Sequence, residues 1–136
     1  VHEADDALNL SGNWQGFFNY PIAKPPVAFS AALTESDGTL AGATEEIGEQ
    51  GDAAGKRISA TLQGRRAGHA VTWLKIYDLD YRHYDTVRYE GTVSPDGLEI
   101  EGRWTVPGNW SGTFLMIRAG GVPDSAETDV KEGVLF

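Results

Sequence analysis

Glu46 and Lys75 are the two charges whose positions suggest chemistry. Each continues an every-second-residue series that is otherwise apolar or small: Leu40, Gly42, Thr44, Glu46 and Val71, Trp73, Lys75, Tyr77. A strand that buries such a series carries its charge inward as well. Burying a charge is costly unless it is paired or hydrated, so the two are expected to meet near the mouth of an interior. A hydrated ion pair accounts for them; in a dry interior Glu46 has the chemistry of a general base and Lys75 that of an oxyanion stabiliser. The segment Tyr77 to Asp85, YDLDYRHYD, gathers Tyr, Asp, Arg and His in one stretch. His83 and Asp85 share a face there, where a carboxylate can orient an imidazole; a solvated loop whose tyrosines cover a rim explains the same residues without catalysis. If the chain is an enzyme, Glu46, Lys75, His83 and Asp85 are its catalytic candidates. No serine stands in an elbow motif, so a hydrolase triad has no support. His2, His69 and His83 fall in unrelated places, so no metal or cofactor is expected.

The elements that must position these residues read as strands. Seventeen glycines, with recurrent Thr, Val, Tyr, Phe and Trp, favour turns and pleated segments, and no long apolar helical stripe can be drawn. Strands are expected near 10–20, 27–35, 39–46, 56–65, 69–78, 84–94, 98–106 and 110–119. Ser36-Asp37-Gly38 and Ser94-Pro95-Asp96-Gly97 read as the same tight hairpin used twice, and Arg66-Ala67-Gly68 as a third reversal. The connections between them are mostly longer, so tight turns collect at one end and open loops at the other. About eight antiparallel strands in this order predict an all-β, up-and-down barrel over residues 10–119, flanked by loose acidic segments 1–9 and 120–136.

Choosing the more apolar parity of each strand gives the expected interior. Phe18, Tyr20, Phe29, Thr44, Trp73, Tyr77, Tyr89, Trp104 and Trp110 would line it as ligand-binding residues. Inward glycines at 42, 64, 102 and 112 would leave room among them. Tyr20, Glu46, Lys75, Tyr77, His83 and Asp85 fall at the open end, while Trp14 and Arg118 meet at the tight end, so the barrel is expected to be polar at its mouth and apolar below. The acidic run from Glu45 to Asp52 near the mouth reads as a solvated loop or a lid.

A formal charge of −9 repels phosphates and anionic lipid headgroups, which disfavours nucleic acid and membrane partners and favours a small molecule. No cysteine is present, which leaves the redox compartment open. Localisation is unassigned between cytoplasmic and exported after leader removal.

The motifs GNW at 12–14, DGTLAG at 37–42, VTW at 71–73, RW at 103–104 and the Trp110 to Phe114 spacing resemble the calycin superfamily. They look most similar to the avidin and streptavidin group. That resemblance implies that Trp14 packs beneath Arg118 and that Trp73, Trp104 and Trp110 stand where avidins place the tryptophans of their ligand pocket. The polar groups by which avidins hold the biotin ureido ring are replaced here by Gly16, Thr44, Glu46 and Arg118, so biotin is not the implied ligand. The leading expectation is a barrel that holds a largely apolar or aromatic small molecule. The alternatives are a cofactor-independent isomerase or cyclase using the mouth residues, and a homodimeric or homotetrameric interaction module using outward Phe17, Leu74 and Ile76.

Overall fold

A computed structural model describes residues 8–47, 55–78 and 86–120. Eight strands follow one another: β1 (Gly12–Asn19), β2 (Val27–Ser36), β3 (Thr39–Ile47), β4 (Arg57–Ala67), β5 (Ala70–Tyr77), β6 (Val87–Val93), β7 (Glu99–Val106) and β8 (Trp110–Arg118). Each pairs antiparallel with its neighbour, and β8 returns to β1, so the sheet closes into an up-and-down barrel. Alternation of buried and exposed residues runs along the strands, as in β2 and β5. Closure therefore gives every strand one inward and one outward parity.

The first tight turn has Asp37 and Gly38 both at positive φ, the form that matches the twist of a two-residue hairpin. The second is built differently from the repeat that the sequence suggested. Pro95 fixes its own φ at a negative value, which forbids that form, and the turn spreads instead over Ser94 to Leu98. There the Gly97 N–H donates to the Ser94 carbonyl and the Ser94 hydroxyl to Asp96. The third reversal is centred on Gly68 and His69, between the paired Ala67 and Ala70.

Trp14 and Arg118 are register partners at the tight end, with the guanidinium 5.1 Å from the indole centroid. The same guanidinium donates to the carbonyls of Asn9 and Ser11, and Trp14 Nε1 donates to the Leu10 carbonyl. The chain leading into β1 is thus drawn across the barrel floor. This floor is not purely apolar, contrary to expectation. Glu35 and Arg66 form a second buried ion pair there at 2.7 Å, and the Leu10 N–H donates to the Glu35 carboxylate.

Inward glycines do not leave free space. A Cβ on Gly112 would meet the Trp104 ring at 2.7 Å and the Asn19 carbonyl at 1.9 Å; one on Gly16 would meet the Phe29 ring at 2.7 Å. The room they create is already taken by aromatic rings and by close strand approach. Gly112→Ala is therefore expected to destabilise the barrel by about 1–3 kcal/mol or more, read as a lower urea midpoint. An unchanged midpoint would contradict this packing.

Candidate functional site

The interior of the open half is built by residues of one parity on every strand. On β3 the inward series runs through Thr44 to Glu46, and on β5 through Trp73 to Lys75, as the alternation predicts. The register places Ala31 and Ala60 on either side of Thr44, and Tyr77 beyond Ala60. Ala60, on the strand between Glu46 and Lys75, is small enough to leave the width across which they reach each other.

Lys75 Nζ donates to Glu46 Oε1 at 2.6 Å, and the Tyr77 hydroxyl donates to both oxygens of the same carboxylate at 3.2 and 3.3 Å. Lys75 is 1% exposed and Glu46 6%. The pair is thus enclosed by protein, where a hydrated pair was the simpler expectation. Aromatic faces complete the enclosure: the ammonium lies 4.9 Å from the centroids of Phe18 and Tyr77, 5.4 Å from Phe29 and 6.0 Å from Tyr89. Ring quadrupoles attract a cation and replace part of its lost hydration.

Burial pushes the Lys75 ammonium below its ordinary value, against the opposing pull of Glu46. Burial pushes the Tyr77 and Tyr89 hydroxyls up, and the nearby Glu46 charge adds to both shifts.

Two aromatic groups flank the pair. At the mouth, Tyr20 and Trp110 are half-buried and pack with Phe18 and Trp104, with ring centroids 5.1–6.2 Å apart. Trp104 is fixed by its Nε1 donating to the Asn19 carbonyl. Deeper, Trp73 stacks on Tyr89 at 5.7 Å, and Phe114 stands edge-on to both. Against the deeper group lies a cavity of about 10 Å³ lined by Phe29, Thr44, Leu62, Trp73, Lys75, Tyr89 and Met116. That is about the least volume that admits one water. Thr44 Oγ1 is buried without a hydrogen-bond partner, because its register neighbours Ala31 and Ala60 carry no polar side-chain atom.

The structure thus gathers Phe18, Tyr20, Phe29, Thr44, Glu46, Trp73, Lys75, Tyr77, Tyr89, Trp104 and Trp110 around one interior. His83 and Asp85 lie outside the described residues, as do His2 and most of the acidic run after Glu46. Outward Leu74 and Ile76 are exposed and Phe17 is half-buried. Sequence reasoning missed Glu35 and Arg66, although each extends an inward series by two residues, beyond Leu33 and Gly64 respectively. The partnerless state of Thr44 was not visible either, since it depends on which residues the register sets beside it. Among the described residues, no group of three or more His, Asp or Glu converges as a metal site would require.

The closed eight-stranded antiparallel barrel is consistent with the calycin-like architecture that the sequence resembles. No family model matches the chain, and no curated protein matches it.

Removing one partner of the buried pair leaves the other charge uncompensated. Lys75→Met is therefore expected to cost about 3–5 kcal/mol in urea denaturation, whereas the double change Glu46→Leu with Lys75→Met should be neutral or stabilising by up to about 4 kcal/mol. A single variant as stable as the parent would show that the pair is solvated.

Raised tyrosine values also set the alkaline limit. Above pH 10, the ordinary value of both groups, the unfolded chain loses protons that the folded chain keeps on Tyr77 and Tyr89. Stability then falls as pH rises, by up to about 1.4 kcal/mol per pH unit for each tyrosine. Tyr77→Phe should remove one such step from the slope between pH 10 and 11; an unchanged slope would place its hydroxyl in solvent.

Proposed function

We propose that this barrel binds a small, largely apolar or aromatic molecule through its open end, with Glu46, Lys75 and Tyr77 orienting the ligand's polar group. The observation that carries the reading is the enclosed Glu46–Lys75 pair. An apolar replacement of similar volume generally serves stability as well or better, and unlike the Glu35–Arg66 pair, which also holds the Leu10 backbone, this pair ties side chains alone and so suits a ligand's polar group. The aromatic walls supply the apolar contact: Phe18, Phe29, Trp73, Tyr89 and Trp104 around the pair, and Tyr20 and Trp110 above it. The resemblance to avidins supports the same use of Trp73, Trp104 and Trp110, and the replaced ureido contacts point to a ligand other than biotin.

Packing sets the mode of entry. The cavity beside Lys75 takes nothing larger than about one water. Binding there thus requires rings to move, and Tyr20 and Trp110, the half-buried members of the aromatic group, are the ones that entry would displace.

A saturating ligand at about 100 times its Kd should stabilise the fold by about 2.7 kcal/mol. Screening a panel of aromatic and aliphatic alcohols, aldehydes and carboxylates by thermal shift and tryptophan fluorescence is expected to find saturable binders. The Glu46→Leu, Lys75→Met double variant should retain the fold and lose at least about tenfold in affinity for them. A panel without any response, or a double variant with undiminished affinity, would contradict the reading.

A further inference from the structure

The geometry points to Lys75 as a carbonyl-capturing lysine: resting on the binding function proposed above, we infer that the lumen takes an apolar or aromatic aldehyde and holds it as an imine. Four features of one small region converge on this chemistry. Lys75 supplies the amine. Glu46, at 2.6 Å, is placed to accept the ammonium proton. Tyr77 holds that carboxylate by hydrogen bonds to both of its oxygens. Thr44 Oγ1 is a buried hydroxyl without a partner, on the wall of a cavity that Lys75 also lines.

Low polarity makes the first step accessible. Moving the proton from Lys75 to Glu46 converts an ion pair into two neutral groups, which a dry interior favours relative to water. Burial also depresses the lysine's proton affinity, the usual way a lysine becomes nucleophilic near neutral pH. Neutral Nζ then attacks the aldehyde carbon: the N–C bond forms, the C=O π pair moves to oxygen, and a proton passes from nitrogen to that oxygen to give a carbinolamine. Protonated Glu46 returns its proton to the hydroxyl, the C–O bond breaks and water leaves. The nitrogen lone pair closes the C=N bond. The sum is an aldehyde plus Lys75 ammonium giving an iminium plus water, with no oxidant or reductant required. The product is again a cation beside the Glu46 carboxylate, so the charge pattern of the empty barrel is restored. The released water matches the cavity of about 10 Å³, where Thr44 Oγ1 offers it a hydrogen bond.

The test uses the folded protein with trans-cinnamaldehyde and sodium cyanoborohydride at pH 7, followed by peptide mass mapping. Cinnamyl alcohol, which cannot form an imine, is the parallel probe, read by thermal shift. Lys75 is expected to be reductively alkylated at least about tenfold faster than Lys24, Lys56 and Lys131, and Thr44→Val to slow that labelling about tenfold. Alcohol binding with Lys75 unmodified, or with all four lysines labelled alike, overturns the imine and leaves the binding function standing. An unchanged rate in Thr44→Val overturns the assigned role of its hydroxyl. Absence of both alcohol binding and Lys75 labelling overturns the inference together with the function on which it rests.

Discussion

Pairing of β1 with β8 is the constraint on which everything else depends, because closure removes both sheet edges and converts side-chain alternation into inside and outside. Once the sheet is closed, a residue's parity decides its solvent. Val71, Trp73, Lys75 and Tyr77 point inward on β5 as a set, and the apolar members carry the charged one with them. The same logic operates at the floor, where Glu35 continues the inward series of β2 and meets Arg66 of β4. Two buried ion pairs, one at each end, follow from a single geometric rule.

The two pairs differ in their surroundings. Glu35 is tied to Arg66 and to the Leu10 backbone, and with Arg118 and Trp14 it fastens the incoming chain across the floor. One backbone N–H and a planar guanidinium hold that carboxylate, as a structural clasp requires. Glu46 instead faces a flexible ammonium and a phenol, with aromatic rings and an unpartnered Thr44 hydroxyl nearby. The floor pair holds chain to chain. The upper pair holds side chain to side chain, at the opposite end of the barrel.

Much of this was legible in the sequence. Asp37-Gly38, the inward aromatics and the positions of Glu46 and Lys75 follow from turn chemistry and period-two patterning, and the structure agrees with each. Beyond Glu35, Arg66 and the isolation of Thr44, three further things were not legible. Pro95 makes the second hairpin unlike the first, a local φ restriction that the shared Asp-Gly conceals. Glycines facing inward suggested space, but whether space survives depends on rings from other strands, such as Trp104 over Gly112. Hydration of the Glu46–Lys75 pair depends on how Phe18, Phe29, Tyr77 and Tyr89 close over it, which only the three-dimensional packing decides.

The Lys75 ammonium sits out of water against Glu46 inside the barrel. Proton-nitrogen spectroscopy of the lysine side-chain amines at neutral pH tests it most directly, since ammonium protons in bulk water exchange too fast to be seen. One slowly exchanging lysine signal is expected, and it should disappear in Lys75→Arg. Uniformly fast exchange of all lysine amines, or a protected signal that survives that substitution, would contradict it.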